Sequence, residues 1–63
     1  MNMPLIRAMA NTLVDHDVDP LDAMAVVTRL IAAGFTAKQI RENYDAVELM
    51  AMIRVRNRER QSQ

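Results

Sequence analysis

Leu30-Ile31-Ala32-Ala33-Gly34-Phe35-Thr36-Ala37-Lys38-Gln39-Ile40 joins two helical patterns through the only glycine in the chain. A glycine just past an apolar helical run fits C′, where a left-handed residue ends a helix. Thr36 then serves as the next N-cap, and Gln39, three residues on, completes a capping box. Phe35 before the cap and Ile40 in the first turn after it are placed to form a hydrophobic staple. Helix, short glycine turn and helix is the build of a DNA-binding helix-turn-helix. It is equally the build of any helical hairpin.

Working outward, the spacing predicts three helices, at residues 4–14, 20–33 and 37–58. In the first, Ile6, Met9, Ala10 and Leu13 form an apolar stripe, and Pro4 suits a first helical turn. Asp15-His16-Asp17-Val18-Asp19 breaks the pattern. Asp19 reads as the next N-cap, Pro20 as N1 and Asp22 as N3. The second helix is apolar nearly all round, with Leu21, Met24, Val26, Val27, Leu30 and Ile31 among alanines, and so reads as central and buried. In the third, Ile40, Tyr44, Val47 and Ala51 recur at helical spacing. The run Leu49-Met50-Ala51-Met52-Ile53 then makes that helix apolar on every side. One neighbouring pair of helices covers such a segment poorly, which points to self-association. The expected fold is therefore all-α, a three-helix domain over residues 1–60 with a helix-turn-helix-like hairpin and a frayed polar tail at 61–63.

Size supports the same expectation. A chain of 63 residues buries only about 60% of the surface its unfolded form exposes. Chains this small usually lean on disulfides, a metal or a partner subunit. There is no cysteine, so disulfides and Cys-ligated zinc are excluded. What is left is close helix packing or oligomerisation, and a homodimer through Leu49, Met50, Met52 and Ile53, with exposed parts of the second helix, is expected. Each further Leu- or Met-sized side chain buried stabilises by ~1.5–3 kcal/mol. Phe35 and Tyr44 are the only aromatics, and there are six methionines, residues that give soft, adaptable apolar surfaces.

Charge excludes little on its own, because eight basic residues balance eight acidic ones. Its distribution is uneven. Asp15, Asp17, Asp19 and Asp22 lie in the first half, against Arg7 and Arg29. The second half carries Lys38, Arg41, Arg54, Arg56, Arg58 and Arg60, the candidate contacts for nucleic acid or an acidic partner. In a DNA-binding reading the third helix would present Lys38, Gln39, Arg41, Glu42 and Asn43 to base edges. Glu42, Asp45 and Glu48 would then repel phosphates, so a protein partner is the reading preferred over DNA.

The remaining chemistry-bearing residues have plain readings. Asp15-x-Asp17-x-Asp19 opens like an EF-hand loop, but its sixth position is Pro20 rather than Gly and its twelfth is Val26 rather than Glu. A solvated connection explains it. His16 has no cysteine to join it in a metal site, and the one serine, Ser62, lies in the tail. Glu42, Asp45 and Glu48 read as a salt-linked solvent face, since paired-carboxylate catalysis needs a concave, partly dry pocket. No enzymatic activity, cofactor or metal is expected. The start of the chain lacks the basic and long apolar segments of a signal peptide. The longest apolar runs, residues 23–27 and 49–53, are far short of the ~20 residues that span a bilayer. A cytoplasmic protein without a membrane anchor is the expectation.

Taken whole, this Cys-free, Met-rich helical chain of 63 residues resembles the small helical proteins encoded in the exo–xis region of lambdoid phages. The resemblance lies in length and character rather than in a motif. It implies an accessory early protein that modulates lysis–lysogeny development in the host bacterial cytoplasm, through a host or phage protein, and it assigns no site residues.

Overall fold

A computed structural model describes residues 2–61 of the chain, in which α1 (Met3–Asp15), α2 (Ala23–Ala32) and α3 (Ala37–Gln61) follow one another with no strand among the described residues. The 25 residues of α3 at about 1.5 Å each account for the 37 Å long axis of the molecule. This helix is the spine. It continues to Gln61, past the expected end at 58, and the rest of the expected tail, residues 62–63, lies outside the described residues.

The first helix forms as its stripe predicts, and it carries a cap that helical spacing does not reveal. The Asn2 side chain accepts a hydrogen bond from the Leu5 N–H at 3.2 Å, satisfying one of the free donors of the first turn. Thr12 turns its hydroxyl back to the Ala8 carbonyl at 2.9 Å, a local bond that lets a polar residue sit half-buried. Ile6, Met9, Ala10 and Leu13 are all buried. They pack mainly against α3, which contributes Ile40, Val47 and Ala51, with Tyr44 half-buried beside them.

The second helix departs from its expected bounds and role. It begins at Ala23, and its N-cap is Asp22, whose side chain accepts the Ala25 N–H at 3.2 Å. Asp19 instead makes a turn ahead of the helix. Its carboxylate accepts the Leu21 N–H at 2.9 Å, and its carbonyl accepts the Asp22 N–H at 3.0 Å. Proline at N1 therefore gives way to proline in an Asx-type turn, with Pro20 buried in the corner. Nor is α2 central. Only Val26 and Leu30 are buried, while Leu21, Met24, Val27 and Ile31 face outward. The physical reason is a shortage of neighbours. A ten-residue helix laid against one side of the longer α1–α3 pair can cover one stripe only, however apolar the rest of its circumference is.

Both interhelical corners use one device. At the end of α2, the Gly34 N–H donates to the Ile31 carbonyl at 3.0 Å and the Phe35 N–H to the Leu30 carbonyl at 3.1 Å, with Gly34 at φ +101°. At the end of α1, the Asp17 N–H donates to the Val14 carbonyl at 3.1 Å and the Val18 N–H to the Leu13 carbonyl at 2.9 Å, with Asp17 at φ +55°. Each is a Schellman motif, and each is followed by a side chain, Phe35 or Val18, packed on the core. The capping box forms as read. Thr36 Oγ1 accepts the Gln39 N–H at 3.1 Å, and Gln39 Oε1 accepts the Thr36 N–H at 2.9 Å. Phe35 joins the same apolar cluster as Ile40, as a staple requires.

Candidate interaction surface

The turn at Asp19 and the cap at Asp22 set the phase of α2. With Val26 and Leu30 held against α1 and α3, helical spacing throws Met24, Val27, Thr28 and Ile31 to the opposite side. Met24 is 81% exposed and Leu21, in the lead-in turn, 67%. Val27 also edges an open groove of about 290 Å³ whose other walls are Ala37, Ile40, Arg41 and Tyr44. The phenol of Tyr44 is held above the ordinary tyrosine pKa of 10.0 by burial first, then by the negative charges of Glu48, Asp22 and Asp45. The apolar face of α2 thus runs on to the flank of α3.

The patch expected on α3 is divided. Leu49 and Ile53, four residues apart on one face, are 59% and 49% exposed. Met50 packs against the core and Met52 is half-buried. Two outward side chains make a narrower apolar surface than the four of α2 and its lead-in turn. The sequence pointed to α3 because its apolar run is unbroken. Composition carries no record of which α2 face finds a neighbour.

The basic residues do not share a face. Arg58 folds back on the first corner, its guanidinium 3.5 Å from the Asp17 carboxylate and 3.5 Å from the Val14 carbonyl that it donates to. Arg54 is half-buried, while Lys38, Arg41, Arg56 and Arg60 are exposed. Glu42 and Asp45, also exposed, interleave with Lys38 and Arg41. Two amides of the helix-turn-helix reading are engaged within the chain. Gln39 belongs to the capping box, and Asn43 Nδ2 donates to the Gln39 carbonyl at 2.8 Å. Direct base readout would need those groups free.

The acidic corner opens into a cleft of about 450 Å³ between Val14, Asp17, Val18, Asp19 and Pro20 on one side and Val55, Arg58 and Glu59 on the other. Its carboxylates are exposed. Among the described residues no three His, Cys, Asp or Glu side chains come together in a way that could hold a metal ion. His16 is the exposed C-cap of α1, where its N–H donates to the Thr12 carbonyl at 3.2 Å. No helix is long and apolar enough to cross a membrane among the described residues. The fold defines a compact, all-α three-helix domain. Comparisons with protein-family models, with curated proteins and with solved structures find no match for the chain.

Proposed function

We propose that this chain is a non-catalytic interaction module that works as a small oligomer and docks onto a protein partner through the outer face of α2. The observation that carries this reading is the apolar stripe of Met24, Val27 and Ile31, with Leu21 in the lead-in turn, a broader outward apolar surface than the Leu49 and Ile53 pair on α3. Contiguous apolar surface of this kind marks docking sites, and an exposed methionine, Met24, adapts to the partner's shape. The resemblance in length and character to exo–xis accessory proteins supports a regulatory role in phage lysis–lysogeny development, with a host or phage protein as partner in the bacterial cytoplasm. Interleaved acids on α3 and the engagement of Gln39 and Asn43 weigh against the helix-turn-helix DNA-binding alternative.

The test is a photo-crosslinking amino acid placed at Met24 or, as a control, at Arg56, in bacterial cells producing the chain. Protein adducts from position 24 and none from 56 are expected. Nucleic-acid adducts from 56, Lys38 or Arg41 would favour the DNA reading, as would a duplex shift that weakens steeply with salt. Absence of any adduct at 24 removes the docking reading.

A further inference from the structure

We infer that the outer face of α2 is covered by α2 of a second copy, the two helices running antiparallel about a two-fold axis near Val27 and Thr28. The inference rests on the reading of α2 as the docking face: in the free chain a second copy covers that face reversibly, and it gives way when the partner binds. Opposite the buried pair Val26 and Leu30, the residues Met24, Val27, Thr28 and Ile31 follow the three–four spacing of a helix-pairing seam. A two-fold contact must be self-complementary, so that residue i meets j and j meets i. Centred between Val27 and Thr28, an antiparallel pair sets Met24 of one copy against Ile31 of the other, twice. Thr28 and Ala32 are small and exposed, which allows close approach of the two backbones.

Charge selects the direction. The start of α2 is acidic, with Asp19 and Asp22, and its last turn carries Arg29, while Lys38 and Arg41 beyond the corner are interleaved with Glu42 and Asp45. Antiparallel pairing brings the acidic end of each copy towards the Arg29 end of the other, and it opposes the helix dipoles. Parallel pairing sets acid on acid. The net formal charge of zero leaves no global repulsion between copies.

Helix length bounds the contact. A helix of ten residues is about 15 Å long, which places the contact at the low end of specific interfaces, under ~1,200 Å² in total. A reversible dimer follows, one that dissociates in the micromolar range, roughly. For a chain this small and without cross-links, even that association stabilises the fold by mass action.

Sedimentation equilibrium of the full chain between about 1 and 300 µM tests this. The expected result is a monomer–dimer equilibrium that Met24→Asp weakens at least ~30-fold and Leu49→Asp leaves within ~3-fold. Because Met24 is exposed, circular dichroism should show Met24→Asp as helical as the parent. In a chain free of cysteine, Thr28→Cys should form a disulfide-linked dimer under oxidation and Leu49→Cys should not. A monomer throughout the range, or dissociation by Leu49→Asp and not by Met24→Asp, overturns the inference. If the chain stays monomeric while position 24 crosslinks to another protein, the symmetric occupant is wrong and the docking function stands. If it dimerises through α2 and crosslinks only to itself, the outcome is reversed.

Discussion

The first two helices are similar on paper and opposite in place. Both carry apolar residues at helical spacing, and the sequence of α2 is the more apolar of the two. Yet α1 buries Ile6, Met9, Ala10 and Leu13 completely, whereas α2 buries Val26 and Leu30 and turns Met24, Val27 and Ile31 outward. Burial follows neighbours rather than hydrophobicity. α1 lies along α3, and α2 reaches that pair from one side. The surplus apolar surface of α2 is therefore available for function, while that of α1 is committed to the fold.

The largest effect should come from testing that asymmetry directly. Leu13→Ala should cost ~2–5 kcal/mol, as a large-to-small change in a closed core does, enough to unfold much of a marginal domain. Met24→Ala should stay within ~0.5 kcal/mol at concentrations where the chain is monomeric. Urea denaturation of both variants checks the pair, and equal losses would break the distinction between the helices.

Next come the ends of the two helices, which ask whether α2 is held by its corner more than by its face. Gly34→Ala should destabilise by ~1–2 kcal/mol. An added Cβ would meet nothing within 4 Å, so the cost lies in the backbone at φ +101° and not in crowding. An unchanged denaturation midpoint would contradict it. The equivalent position at the end of α1 holds Asp17 at φ +55°. Asp17→Gly should stabilise by ~0.5–1 kcal/mol, since glycine is the preferred residue at C′. The ion pair with Arg58 joins two exposed groups, so its removal weighs little against this. A lower midpoint for Asp17→Gly would show that the Arg58 tether, rather than the turn, holds that corner.

The smallest effect concerns the edge of the α2 face. Tyr44 has its pKa raised in the folded chain, so the native state keeps its proton where the unfolded state has lost it. The stability this confers is complete below the ordinary value of 10.0 and is lost as pH rises through the folded value. Thermal melts across the alkaline range should fall for the parent and fall less for Tyr44→Phe. Coincident curves, or a phenolate absorbance titration at the ordinary value, would detach Tyr44 from that flank.

Much of this was legible where local chemistry decides. The capping box at Thr36 and Gln39, the stop at Gly34 and the buried stripes of α1 and α3 all depend on residues within a turn or two of one another. The end of α1 was legible to within a residue, but its motif was not, although it is the one that ends α2, because aspartate at Asp17 is a weaker left-handed signal than glycine. Nor was the choice between Asp19 and Asp22 as cap. The spacing put Asp22 at N3 behind Asp19, whereas Asp19 and Pro20 form a turn ahead of the helix and Asp22 caps it.

The sequence alone determined that this chain is helical, that α2 stops at Gly34 and which residues of α1 face inward. The hydrogen bonds and spacings responsible are local and repeat along the chain. Only the tertiary structure decided which side of α2 is covered, whether Leu49 to Ile53 forms one patch or two, and that Arg58 is drawn to Asp17 rather than grouped with the other arginines. Those outcomes depend on which helices run out of neighbours. That is a property of three lengths packed together, and no single helical pattern contains it.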